Sequence, residues 1–108
     1  MGNRSPLLNV IFQSLNNVTR NMLRDFGEIE NLQVSPSSLE QFVSKTEKKI
    51  SISLLNDLTK SRPEWGVKFN NEPGYIKDKH NWIVDTLNGR FNFLHGLPYF
   101  AISVAVEL

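Results

Sequence analysis

Cysteine is absent from this 108-residue chain. Disulfide frameworks, zinc–thiolate knuckles and thiol nucleophiles are thereby excluded, and a reducing compartment suits what remains. Neither sign of charge is in excess. Twelve Lys and Arg face eleven Asp and Glu, a formal net charge of +1, which leaves no electrostatic footprint for nucleic acid. The Lys48-Lys49 pair and the separate Lys77 and Lys79 read as solvated surface. No apolar run approaches the roughly 18 residues needed to span a bilayer. The first residues, with Asn3, Arg4 and Pro6 and then Gln13, Asn16 and Asn17 among the apolar positions, lack the short apolar core of a secretory signal. No nucleic-acid or membrane partner is expected, and a cytoplasmic location is.

What is present suits one modest core. Hydrophobic residues make up 40% of the chain and charged residues 21%, a globular rather than a disordered balance. Residues 6–26 read as a helix, because Ile11, Leu15, Val18, Met22 and Phe26 share one stripe. Ser5 and Pro6 suit its start and Gly27 its stop. The stretch from Asn31 to Ser38 reads as a loop or short hairpin. Ser44-Lys45-Thr46-Glu47 fits a capping box opening a second helix. Ile50, Leu54, Leu55 and Leu58 supply that helix's buried face, and Pro63 ends it. Gly66 to Phe69 and Trp82 to Asp85 are short strand candidates. Phe100 to Val106, apolar and rich in β-branched residues, reads as a strand covered on both faces.

The segment that carries chemistry runs from Trp82 to Gly96, WIVDTLNGRFNFLHG. It resembles the metal-and-phosphate turn of the inositol monophosphatase family, bacterial type, W-I-[IV]-D-P-[IL]-D-G-T-x-N-F. Trp82, Ile83, Val84, Asp85, Leu87, Gly89, Asn92 and Phe93 match that pattern, while Thr86, Asn88 and Arg90 depart from it. FVSKTEKK at 42–49, RPEWGVKFNNEPG at 62–74 and HGLPYFAISVAVE at 95–107 are similar to further segments of the family. The resemblance implies an α/β (α+β) fold: the N-terminal part of the layered αβαβα sandwich of the inositol monophosphatase and sugar phosphatase enzymes. Residues 1–108 are then a single partial domain, two helices followed by three or more strands, truncated relative to those enzymes.

The same resemblance implies a site and a cofactor. In the family, Mg2+ holds the phosphate of a phosphorylated small molecule, such as an inositol or sugar phosphate, and readies a water for attack. Asp85 falls on a metal-ligand position, and Leu87 on one that lends its backbone carbonyl. Asn88 and Asn70 fall where the family has Asp and Glu, with Asn71 beside Asn70. Glu47 falls on a water-orienting Asp, and Arg90 replaces a Thr that shares that work. Gly89 and Arg90 mark the phosphate-binding turn. The metal motif is thus degenerate: three anionic ligand positions have become one. Each missing carboxylate costs several kcal/mol of attraction for a divalent ion, even at an effective dielectric of about 20. Two rescues exist. A strand register shifted by two residues would bring in Glu72, and the Asn88-Gly89 pair is prone to deamidation, which would restore an Asp.

Plainer readings stand beside these. Asp85 is also a common turn or cap residue, and Arg90 a tolerable surface substitution. Trp82 and Ser103 read as structural, and His80 and His95 lack companions at metal-ligand spacing. The chain is therefore expected to be a phosphatase relative with little or no turnover of its own. The second hypothesis is a non-catalytic interaction or dimerisation remnant. The apolar edge of FAISVAV would then take a second copy of the chain or a complementary C-terminal chain. A third is an anion-binding module using Gly89 and Arg90.

Overall fold

The computed structural model describes residues 5–32, 34–77 and 79–107. Asn3 and Arg4, cited above against a signal sequence, lie outside them. The elements run α1 (Pro6–Ile29), α2 (Pro36–Ser61), β1 (Gly66–Phe69), β2 (Asn81–Asn88), α3 (Arg90–Leu94) and β3 (Ala101–Glu107). Among the described residues no helix is long and apolar enough to cross a membrane.

Both long helices begin with the same device. Ser5 and Ser35 accept hydrogen bonds from the amides of Leu8 and Ser38, and a proline follows each serine at the first helical position, where its missing N–H costs nothing. The start at Ser35 overrides the capping box expected at Ser44, because a Ser-Pro pair nine residues upstream satisfies the first turn just as well. Ser44 and Glu47 therefore lie inside α2 and are free for other work. Replacing Ser35 by Ala is expected to lower stability by about 1 kcal/mol, read as a shift of the urea midpoint at constant slope. Gly27 likewise fails to stop α1: one more turn carries Ile29 into the core at 8% exposure.

The two helices lie antiparallel. Near one end Asn17 donates to Asp57 at 3.1 Å, and towards the other Asp25 accepts from Thr46 at 2.8 Å and pairs with Lys49 at 2.7 Å. Asp25 is buried, and these partners, with Arg24 Nε 3.8 Å from its other oxygen, make its charge tolerable there. The sheet has the order β1-β2-β3, with β1 parallel and β3 antiparallel to β2. Val67, Trp82 and Val84 from the sheet meet Val43, Ile50, Leu54 and Leu58 from α2 and Val18 and Met22 from α1 in one core. Phe26, Phe93 and Phe100 stack with ring centroids 4.8–5.4 Å apart, tying α3 and the start of β3 to α1.

β3 departs from its expected burial. Exposure alternates along it, with Ile102, Val104 and Val106 half-buried and Ala101, Ser103 and Ala105 exposed. As an edge strand packed by helices on one face, it buries every second side chain, despite an apolar run that suggested cover on both.

Candidate functional site

β2 does not end at Asp85 but continues to Asn88 through an irregularity. Asp85 pairs with Ser103 and Asn88 with Ala101, so β2 carries one residue more than β3 over that stretch. Such a bulge redirects the chain. Here Thr86 and Leu87 both turn inward and are buried, at 0% and 4% exposure, while Asn88 points out. Gly89 follows with φ of +89°, and its carbonyl accepts from the amide of Phe93 to open α3. This left-handed step brings Arg90, the next residue, back against α2.

Arg90 is the best-connected side chain of the turn. Its Nε donates to Glu47 Oε1, its Nη1 pairs with Glu40 at 2.8 Å, and its Nη2 donates to Ser44 Oγ at 3.1 Å. Glu40, Ser44 and Glu47 stand at steps of four and three along α2, hence on one face. Partial burial disfavours the Arg90 charge. The hydrogen bonds and charges of Glu47, and then of Glu40, outweigh it and hold the guanidinium above its ordinary range. The second oxygen of Glu47 accepts from Asn71 Nδ2 at 2.9 Å, so each oxygen of this carboxylate already takes one hydrogen bond.

The other positions fall around this centre. Asn70 Oδ1 accepts a long, 3.4 Å bond from the amide of Thr86, so the amide oxygen that stands where a carboxylate was expected faces a backbone donor. Glu72 pairs with Lys48 at 3.2 Å, an ion pair with α2. Asp85 is half-buried, and its Oδ1 is enclosed with no hydrogen-bond partner. Asn88 is exposed, and His95 contacts the carbonyl of Phe91 at 2.8 Å through Nδ1. His80 lies away from the turn against Trp65, ring centroids 4.9 Å apart. The roles of Glu40 and Ser44 escaped the sequence reading. Their spacing places them on one face with Glu47 once the helix is started at Ser35, but it does not point to Arg90.

Tested against a magnesium ion, which prefers several hard oxygen ligands in near-octahedral array, the donor set does not fit. Asp85 is the one carboxylate among the expected ligand positions, and its enclosed Oδ1 lacks a hydrogen-bond partner. Glu47 is held by Arg90 and Asn71. Among the described residues no three His, Asp or Glu lie together at metal-binding spacing.

Comparison with known proteins places this architecture. No protein-family profile matches the chain. Individual proteins do. The chain is 46% identical over 108 residues to an inositol-1-monophosphatase of Rhizobium meliloti, spanning 96% of this chain and 40% of that protein. The corresponding enzyme of Mesorhizobium japonicum is 43% identical over 107 residues, with the same coverage. A crystal structure of the extragenic suppressor protein SuhB from Bartonella henselae superposes with a TM-score of 0.80 at 34% identity, over 95% of this chain and 39% of that one. The chain belongs to the inositol monophosphatase family. It corresponds to the N-terminal part of these relatives and spans about 40% of their length. The fold agrees even at distance: inositol monophosphatase II of Staphylococcus aureus matches with a TM-score of 0.76 at 17% identity. Two helices followed by three strands of a mixed sheet are the N-terminal portion of that fold.

Proposed function

We propose that this inositol-monophosphatase relative retains the architecture of a phosphomonoester site and does not itself turn over phosphate esters at a family-like rate. Similarity to proteins named inositol-1-monophosphatases supports a phosphorylated small molecule, an inositol or sugar phosphate, as the substrate class. The observation that carries the second half of the proposal is the commitment of Glu47. A water-orienting carboxylate has to accept a proton from the attacking water in the transition state. Here one oxygen is held by the Arg90 guanidinium and the other by the Asn71 amide. Asp85 alone then offers negative charge to a phosphate-bound cation, too little to gather hard ions at millimolar concentration.

The test is inorganic phosphate release from inositol 1-phosphate by the 108-residue chain with 5 mM MgCl2. The expected result is no release above the no-enzyme blank. Magnesium-dependent turnover near 1 s⁻¹, the low end of ordinary enzymes, would show that the site works despite these contacts.

The anion-binding reading, with Arg90 as the recognising cation, is less favoured. Its guanidinium already engages two carboxylates and a hydroxyl, so a phosphate would have to displace them. A cytoplasmic location fits the cysteine-free composition.

A further inference from the structure

We infer that the guanidinium of Arg90 is the resident cation of the acidic face of α2, standing where a free metal ion would otherwise be the counter-charge. The inference rests on the proposal above in one respect: both hold that no divalent ion works at this turn. It goes further by naming what occupies the place. Three features support it. The contacts come from three different nitrogens of one guanidinium to three side chains on one helix face, Glu40, Ser44 and Glu47. That is the way a planar fork is used against carboxylates. Glu47 is shielded, its side chain 14% exposed, so its charge needs a nearby partner more than a surface carboxylate does. The backbone delivers the charge without side-chain search. Gly89 fixes the reversal, and the Phe26–Phe93–Phe100 cluster anchors the short helix that begins at Arg90.

Nearby lysines on α2 and β1 do not supply the same service. Lys48 is turned to Glu72, Lys49 to Asp25 and Lys68 to Glu107. Arg90 is accordingly the cation that the structure pairs with Glu40 and Glu47 among the described residues. A covalently tethered cation pays no association entropy and cannot be chelated away. The chain should therefore be blind to divalent metal.

Thermal melting with 5 mM MgCl2 against 1 mM EDTA, without substrate, decides the matter. The wild-type chain is expected to melt at the same temperature in both. Arg90→Ala is expected to melt about 5 °C lower or more in EDTA and to regain at least a third of that loss in magnesium, because two facing carboxylates then lack their counter-charge. Arg90→Lys, which keeps the charge and loses the fork, is expected to stay metal-blind. A magnesium-dependent rise in wild-type melting overturns the inference. So does an Arg90→Ala chain that is destabilised yet gains nothing from magnesium, since Arg90 is then a strut and not a stand-in ion. If Arg90→Ala does not fold, the uncharged pair Arg90→Gln with Glu47→Gln carries the comparison. A folded double variant supports the charge argument, and an unfolded one defeats it. Phosphate release is measured separately, so a failure of the phosphatase proposal and a failure of this inference give different signatures.

Discussion

Trp82→Ala is expected to destabilise the chain by about 3–5 kcal/mol, the range for deleting a large buried aromatic side chain. A domain of this size has about 5–15 kcal/mol in all, so the loss removes a large share of the chain's stability. The reason lies in where the ring sits. Trp82 is 0% exposed, on the central strand of the sheet, with Val67 opposite it on β1 and Val106 on β3. Its ring packs 5.0 Å from that of Trp65, which meets His80 edge-to-face and lies under the Arg62 guanidinium. Removing the indole empties the middle of the layer between sheet and α2, and neither flanking valine is large enough to fill it. Urea denaturation followed by far-ultraviolet circular dichroism reads the loss as a lower midpoint. Tyr99→Ala, at a residue 73% exposed, is the matched control and should shift stability by about 0.5 kcal/mol or less. Equal midpoints for Trp82→Ala and wild type would mean that the sheet does not pack as described.

The sequence made the helices and the motif easy to find and hid the pairing between them. The stripe of Ile11, Leu15, Val18, Met22 and Phe26 lies along the buried side of α1, Val18 and Met22 fully inside. That pattern is local, and local periodicity is what a sequence displays most directly. Ser44 through Glu47 is the instructive miss. The four residues satisfy the capping-box pattern equally well wherever they fall, and the Ser35-Pro36 pair, the same signal as Ser5-Pro6, marked the true start. Once α2 begins at Ser35, Glu47 becomes a mid-helix carboxylate facing Arg90, 43 residues away. No spacing rule reaches across that distance. Asp85 shows the complementary limit. The motif located the residue, but the bulge that extends the strand to Asn88 and buries Thr86 and Leu87 in succession depends on the register of β3. The burial of β3 on one face only is likewise decided by what packs there, which an apolar run by itself does not record.

Gly89→Val is expected to cost about 3 kcal/mol and to release Arg90 from α2. Two independent penalties add. The residue holds φ of +89°, where a β-branched side chain meets the following carbonyl at a cost of roughly 1–2 kcal/mol. A Cβ built there would also lie 2.6 Å from the carbonyl oxygen of Tyr99 and 3.1 Å from Cα of Phe100. These are backbone atoms at the entry to β3 and cannot swing aside, so relief must come from the turn itself. Forced overpacking of that kind typically adds 1–3 kcal/mol. The variant therefore reopens the reversal that points Arg90 at Glu47, and stability and ion pairing fail together. A graded series checks the cause. Asn, which tolerates the left-handed region, should lose least, then Ala, then Val, measured by urea midpoints at constant slope. In the Val variant, adding Arg90→Ala should cost little more, because the guanidinium contacts are already lost. If the second substitution costs as much in that background as in wild type, the turn and the clamp are separate features, and the geometry of residue 89 does not deliver Arg90 to its partners.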